Sequence, residues 1–199
     1  MDDETGAIRL TNHFLIAMPG VREEPFARSV VYVCEHSPHG ALGLIINKPG
    51  EFDLAELFAR VNLPLHRAEL GRQPVLHGGP LQPERGFVLH EPIVVEGMAP
   101  DESLYASTLS VPGGVDMTTS RDVLEAISAG SGPQRVLVTL GFSSWGEGQL
   151  ESELATNDWL TVGADPALMF EVPVERRYER ALALLGLQAW MLTPEAGHA

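Results

Sequence analysis

Residues 29–47 constrain the fold of this chain more than any other stretch. Ser29–Glu35 is rich in β-branched and aromatic residues, turn residues follow at 37–40, and Ala41–Asn47 is apolar on both faces. Two such runs around turn residues predict a β-hairpin. The second arm is predicted to be a central, buried strand, because both of its faces need cover.

The rest of the chain shows runs of strands with interspersed helices and no regular strand–helix–strand repeat. A capping box at Asp53 and Glu56 opens the first helix. We predict further strands at Pro74–His77, Gly86–His90, Ser103–Val111, Arg135–Phe142 and Trp159–Val162, and helices at 54–60, Thr118–Ala129, Gly146–Ala155 and Pro173–Gly186. This order of elements favours the α+β class over a doubly wound sheet.

The charge of the chain bears on its partners. The net charge is −14, from 27 acidic and 13 basic residues. Nucleic-acid binding normally needs clustered Lys and Arg, so direct binding to DNA or RNA is disfavoured. The densest basic run, Arg176, Arg177 and Arg180, is interleaved with glutamates, which predicts a solvent face with salt bridges.

No apolar run is long enough to span a bilayer, and the acidic amino terminus does not resemble a secretory signal. We therefore expect a cytoplasmic protein without membrane contact. The single cysteine, Cys34, excludes an intramolecular disulfide. Its neighbours Tyr32 and Val33 predict a buried, inert thiol.

The stretch 141–160 is the strongest candidate for a functional site. Trp145, Trp159 and the carboxylates of Glu147, Glu151 and Glu153 fall within one glycine-hinged run that follows an apolar strand. The run predicts strand, tight turn, short helix and strand, a position where folds often present functional groups. The two indoles suit either the core or the exposed rim of a binding surface.

The sequence disfavours three chemistries: a metal site, acyl transfer and phosphate binding. Four histidines at strand ends or turns (His36, His39, His77 and His90) could converge on a metal, but solvated or backbone-bonded histidines are the commoner case. The Gly-Gly loop after His77 has no partner nucleophile elbow, which disfavours acyl transfer. The carboxylates in the loop at 146–151 oppose a bound phosphate. We predict no metal and no cofactor.

Glu147 and Glu151 leave one catalytic possibility open. They are four residues apart, and such a pair beside Trp145 could perform acid–base chemistry if burial raised the pKa of one carboxyl group. Charged residues opposite a leucine stripe more often form the solvent-exposed face of a helix. We therefore assign no catalytic residue and do not expect an enzyme.

Several separate blocks of the sequence resemble the YqgE/AlgH family of bacteria over residues 9–187. The blocks are Phe26-x-Arg28-Ser29-Val30-Val31-Tyr32, Glu35-His36, 40–49 (Gly-Ala-Leu-Gly-Leu-Ile-Ile-Asn-Lys-Pro), His77-Gly78-Gly79-Pro80, 86–90 (Gly-Phe-Val-Leu-His), Leu140-Gly141-Phe142, 145–154 and Asn157-x-Trp159-Leu160. Ser143 and Ser144 stand where the family often has Ala-Gly, and His77 occupies a variable position.

The resemblance implies a single compact α+β domain with a folded-over, barrel-like mixed sheet and flanking helices. It leaves residues 1–8 as a disordered or loosely held amino terminus and 188–199 as a carboxyl-terminal tail. The family is of unknown function, and one branch carries the label of a transcriptional regulator of alginate production. No catalytic residues come with the resemblance.

Our leading hypothesis is a cytoplasmic regulatory or interaction protein that acts through a protein partner or a small ligand. Its predicted surface gathers polar and glycine-rich positions at strand ends: Asn47, Gly78, Gly79, Pro80, Trp145, Gln149, Glu151 and Asn157. One alternative is a hydrolase or lyase that uses Glu151 or Glu147 with a nearby histidine in a pocket. The other is a nucleic-acid-binding regulator with a contiguous arginine patch.

Overall fold

In the computed structural model, which describes residues 8–192, the predicted hairpin forms part of a ten-stranded sheet. Its arms are β2 (Val30–Ser37) and β3 (Gly40–Ile45), and β3 is an interior strand as predicted. The other strands are β1 (His13–Ala17), β4 (Pro49–Asp53), β5 (Pro74–His77), β6 (Leu81–His90), β7 (Thr108–Ser110), β8 (Asp116–Thr118), β9 (Val136–Trp145) and β10 (Trp159–Gly163).

The strand order is β10-β1-β2-β3-β9-β6-β8-β7, and β5 joins β4 to β9. The β5–β9 pair is parallel, whereas the other pairs are antiparallel, so the sheet is mixed. Trp145 ends β9 and Trp159 begins β10. Their rings lie 6.1 Å apart although β1, β2 and β3 separate their strands in the sheet. The sheet is therefore curled, which confirms the barrel-like expectation.

Five α-helices flank the sheet within the described residues, and the α+β class is confirmed. They are α1 (Leu54–Arg60), α2 (Asp122–Ser128), α3 (Gln149–Ala155), α4 (Pro166–Phe170) and α5 (Arg177–Leu184), with 3-10 turns at Ala68–Leu70, Val174–Arg176 and Ala189–Leu192. The predicted capping box of α1 is present between Asp53 and Glu56. No helix in this part of the chain has the length and apolar character to cross a membrane.

Strand β1, which is not among the predicted elements, is buried on both sides. Phe14 and Ile16 face a core cluster that also contains residues of α4 and α5. Leu15 and Ala17 face a second cluster that contains Trp145, Trp159 and Leu150 of α3. The alternation of a strand thus divides the interior into two layers, with α3 on one side and α5 on the other.

Two predicted elements in the region 103–129 are present but shorter than predicted. The strand Ser103–Val111 shrinks to β7, because the backbone N–H groups of Ala106 and Ser107 bond the side chains of Asp122 and Ser120 instead of another strand. The helix Thr118–Ala129 begins only at Asp122, and Thr118 is the buried end of β8. The first difference arises from side-chain bonds that local sequence does not reveal. The second arises because Asp116–Thr118 pair with β6 and β7.

The predicted helix Pro173–Gly186 begins instead as a 3-10 turn and becomes α-helical at Arg177. The prediction that Arg177 lies on a solvent face is wrong. Its side chain is buried and donates to the carbonyl oxygens of Val172 (3.0 Å) and Ile46 (2.5 Å). Burial lowers the pKa of Arg177 to about 10. One member of the densest basic run is therefore a structural tie between α5 and the end of β3.

The predicted amino-terminal segment lies almost entirely outside the described residues, and so do residues 193–199 of the predicted tail. Residues 189–192 form a 3-10 turn in which Ala189 and Leu192 pack against the core. The boundary predicted at residue 187 stays a prediction.

Candidate functional site

Two buried indoles and one carboxylate form the centre of the candidate site. Trp145 and Trp159 are 4% and 6% exposed. Both indole N–H groups donate to the same oxygen, Oε2 of Glu153, at 2.9 and 2.7 Å. Phe26 completes an aromatic cluster, with its ring centroid 6.3 Å from that of Trp145 and 5.9 Å from that of Trp159. A buried indole needs an acceptor, and Glu153 supplies it for both.

The start of α3 places Glu153 against the indoles. Gly148 adopts a left-handed conformation (φ 71°), which turns the chain from β9 into the helix. The side chain of Gln149 accepts a hydrogen bond from the N–H of Gly146 (3.0 Å) and donates one to Oε1 of Glu153 (3.2 Å). Both oxygens of Glu153 are thus hydrogen-bonded, and its carboxylate is held in one orientation.

A half-open groove of about 590 Å³ lies over this cluster. Trp145, Trp159, Phe26 and Leu81 provide its apolar surface. Its remaining lining comprises Gly20, Val21, Arg22, Glu23, Pro80, Ser144, Gln149, Glu153 and Asp158. The lining contains three carboxylates and one guanidinium. We call this site the tryptophan groove.

Asn47 does not line the groove. Its Oδ1 accepts from the N–H of Val30 (2.7 Å), and its Nδ2 donates to the carbonyl of Arg28 (2.8 Å). The ammonium group of Lys48 donates to the carbonyl of Ala27 (2.6 Å). These bonds fix the segment that precedes β2, and this segment carries Phe26 to the two indoles.

Gly78 and Gly79 lie where the end of β5 crosses close to β9. Gly78 donates to the carbonyl of Leu140 (2.8 Å), and its carbonyl accepts from Ile45 (2.9 Å). A Cβ atom on Gly79 (φ 156°) would lie 2.2 Å from the carbonyl oxygen of Phe142. This approach requires glycine. The glycines thereby direct the chain to Pro80, which does line the groove.

Glu151 lies outside the lining of the tryptophan groove and contacts a histidine. Its Oε1 lies 2.7 Å from Nε2 of His36, whose Nδ1 accepts from the N–H of Leu10 (3.1 Å). With Nδ1 accepting, Nε2 carries the proton and donates to Glu151. The pKa of Glu151 lies below its usual value, first because its own backbone N–H donates to it; desolvation opposes this, and His36 adds to it.

This geometry bears on the enzyme hypothesis. His36 and Glu151 are within hydrogen-bond distance, but neither lines the groove. Both ring nitrogens of His36 are occupied by neighbours within the protein, and the lowered pKa of Glu151 is the opposite of what a general acid needs. The pair therefore links β2 to α3 by a hydrogen bond.

Asn157 ends helix α3. It is left-handed (φ 59°), its N–H bonds the carbonyl of Leu154 (3.1 Å), and the N–H of Asp158 bonds that of Glu153 (3.0 Å). This pair of bonds is a Schellman motif, in which Asn substitutes for the usual Gly. Of the eight predicted site residues, the groove brings together Pro80, Trp145 and Gln149. Asn47, Gly78, Gly79, Glu151 and Asn157 lie outside its lining, and a binding role for them stays a prediction.

Several groove residues are not among the predicted site residues. Glu153 is one of three carboxylates in the stretch 141–160, and its spacing of four from Gln149 indicates a shared helix face. Phe26 opens the first block of the family resemblance. No local signal marks Leu81, Arg22 or Glu23, because their proximity to the tryptophans depends on the curl of the sheet.

The described residues contain no group of three His, Cys, Asp or Glu side chains placed to hold a metal ion. His90 is buried and lies 2.8 Å from both the carbonyl of Glu91 and the hydroxyl of Thr118. Cys34 is buried, as predicted, and this burial raises the pKa of its thiol. The prediction of no cofactor remains a prediction.

Comparisons with known proteins agree on a family. A family model described as "DUF179: AlgH-like" matches residues 14–190. UPF0301 proteins from Variovorax paradoxus (strain S110) and Acidovorax sp. (strain JS42) are 63% and 64% identical to this chain over 199 residues, with each chain covered completely.

Two solved structures share the fold. The solution structure of the AlgH protein from Pseudomonas aeruginosa has a TM-score of 0.73 and 44% identity and is covered completely, as is this chain. A crystal structure of the protein DIP2367 from Corynebacterium diphtheriae has a TM-score of 0.65, and the match covers 89% of this chain and 88% of that chain. Because the identity is 21%, this likeness supports the fold alone. On these matches, together with the sequence blocks and the curled α+β sheet, the chain belongs to the YqgE/AlgH family of bacterial proteins of unknown function.

Proposed function

We propose that this protein is an interaction protein that binds a segment of a protein partner in the tryptophan groove. The observation that carries this proposal is the pair of indoles fixed by Glu153 beneath an open groove. Both indole N–H groups are bonded within the protein and the two side chains are 4% and 6% exposed, so the indoles form a fixed floor. The apolar surface that an occupant meets comes mainly from Phe26, Pro80 and Leu81. A rigid apolar surface of this kind is typical of the centre of protein interfaces.

The groove also supplies a charge preference. Glu23, Glu153 and Asp158 line it against the single cation of Arg22. The whole chain carries a net charge of −14. An occupant with Lys or Arg beside an apolar side chain matches both features, since the aliphatic stem can cover the aromatic floor while the charged end reaches the carboxylates.

The surroundings favour a protein segment over a small molecule. Leu81 is 42% exposed, and Pro80 beside it is also exposed. Both residues line the groove, so its rim presents exposed apolar surface at the start of β6. An exposed apolar patch beside a polar rim is characteristic of a protein contact.

Direct nucleic-acid binding has little support, because many arginines already have partners within the protein. Arg67 donates to backbone carbonyls at 133 and 134, Arg121 pairs with Glu125, and Arg135 pairs with two glutamates. Further arginine side chains lie over aromatic rings: Arg28, Arg60 and Arg85. If the regulator label of one family branch applies to this chain, the effect on transcription would act through a protein partner.

A matched pair of leucines tests the proposal. Leu81 in the groove and Leu184 on α5 are equally exposed, at 42%. Tagged wild type, Leu81→Lys and Leu184→Lys are used to capture partners from nuclease-treated host lysate, and the affinity of the captured protein is then measured with purified components. We expect Leu81→Lys to weaken binding at least about tenfold and Leu184→Lys to leave it unchanged.

Equal binding by both variants would rule out the groove as the contact. Native mass spectrometry of the protein purified from its host tests whether a small molecule occupies the groove instead. A small molecule that stays bound to wild type and is lost from Leu81→Lys would replace the partner segment as the occupant.

A further inference from the structure

Within residues 8–192 the sheet ends at three strands, and two of them are protected against pairing with another chain. Strand β4 contains Pro49, Glu51 and Asp53, and its register with β5 is irregular. Strand β7 has only three residues. Proline, charge, irregular register and shortness are the usual ways in which natural sheets block their edges.

The third edge strand, β10, has none of these features. Its sequence is Trp-Leu-Thr-Val-Gly, without charge or proline, and its five residues pair with β1 in continuous register. The N–H of Met18 donates to the carbonyl of Asp158, and the N–H of Ala164 donates to the carbonyl of Asn12. The backbone N–H and C=O groups of the even-numbered residues therefore point toward β1. The N–H and C=O groups of Trp159, Thr161 and Gly163 therefore point away from β1.

We propose that the free edge of β10 receives an extended, basic segment of a protein partner as an additional strand. Asp158 and Asp165 lie just outside the two ends of β10, and the chain as a whole is strongly acidic. A segment with Lys or Arg at its ends therefore complements the site. Backbone hydrogen bonds would supply the affinity, and side-chain alternation the selectivity.

The two faces of β10 define the segment more closely. Leu160 and Val162 pack against the larger core cluster, so the residues opposite them should be apolar. Thr161 lies on the other face, where a polar or β-branched residue fits. A strand matching β10 in length covers five residues, about 17 Å at the usual rise.

A second copy of this chain fits the edge less well. In an antiparallel pair centred on Thr161, Asp158 and Asp165 of the two copies would lie near one another, and each chain carries a net charge of −14. Like charges on neighbouring strands oppose pairing. This inference goes beyond the tryptophan groove, because it depends on the register of β10 and needs no occupant in the groove.

The test uses a fluorescein-labelled synthetic peptide of alternating valine and threonine with lysine at both ends, titrated with the full chain by fluorescence anisotropy. Thr161→Pro removes one outward N–H and places a ring on the edge, while the bonds to β1 come from the neighbouring residues. Thr161→Val keeps the edge and is the matched control. We expect Thr161→Pro to weaken binding at least about tenfold and Thr161→Val to leave it unchanged.

If Thr161→Pro does not fold, an N-methylated form of the peptide replaces that variant in the test. The same peptide with N-methyl groups on the alternate residues that face β10 should lose binding to wild type. Leu81→Lys should still bind the unmodified peptide, which separates this result from that of the groove. The proposal is overturned by no binding of the peptide to wild type, by equal binding of the N-methylated peptide, or by wild-type dimerisation that Thr161→Pro abolishes.

Discussion

Glu151 and Glu153 lie two residues apart on α3 and have opposite surroundings. Glu153 accepts from two indoles and lines the tryptophan groove. Glu151 is exposed by 44% and accepts from one imidazole outside the groove. The two glutamates therefore differ because of how many donors surround each carboxylate and how buried those donors are. Their positions on the helix do not reveal this difference.

The largest expected effect comes from removing the carboxylate on the groove side. Glu153→Ala leaves two buried indole N–H groups without an acceptor. At the usual cost of an unsatisfied buried donor, we expect the free energy of unfolding to fall by about 2–4 kcal/mol. Urea denaturation followed by tryptophan fluorescence measures the change.

Two variants serve as controls for that loss. Glu147→Ala removes an exposed carboxylate of the same region and should change stability by less than about 0.5 kcal/mol. Trp159→Phe keeps an aromatic ring but removes one donor, so adding it to Glu153→Ala should cost less than it costs in wild type. If the two costs are additive, the shared carboxylate does not explain the stability of the cluster.

A smaller effect is expected on the other side of α3. Glu151→Gln replaces a charge-assisted hydrogen bond to His36 by a neutral one, at a partly exposed position. We expect a loss of about 0.5–1 kcal/mol at neutral pH. Equilibrium unfolding of wild type and variant in urea measures the difference.

The pH dependence of that difference follows from the lowered pKa of Glu151. A carboxyl group with a lowered pKa in the folded state contributes stability above its ordinary pKa, near 4.5, and loses it as the pH falls through its folded pKa. The gap between wild type and Glu151→Gln should therefore close in acid. A gap that stays constant from neutral pH to below that range would show that the charge of Glu151 contributes nothing.

The elements that the sequence predicted well are those specified by neighbouring residues. The hairpin follows from its alternation and turn residues, and α1 follows from a capping box that operates within four residues. The strand predicted at Ser103–Val111 is limited to Thr108–Ser110, because Asp122 and Ser120 bond the backbone before it from more than ten residues away. Local patterns cannot report bonds of that kind.

The candidate site shows the same limit more strongly. The stretch 141–160 was located correctly as strand, turn, helix and strand, because its glycines and leucines act locally. The contact between Glu151 and His36 spans 115 positions, and Asn47 reaches 17 and 19 positions back to its partners. Which polar residue faces a groove and which braces the fold was therefore beyond the sequence.

The smallest expected effect belongs to Asn157, at the end of the same helix. Glycine accepts its left-handed conformation without strain, so Asn157→Gly should change the free energy of unfolding by less than about 0.5 kcal/mol. Asn157→Ala keeps the position but adds the cost of a left-handed alanine, about 1 kcal/mol. Thermal denaturation distinguishes the two variants. Because Asn157→Gly preserves the helix end and removes the amide, undiminished partner binding by this variant would assign Asn157 to the fold, whereas a loss of binding at unchanged stability would return it to the binding surface.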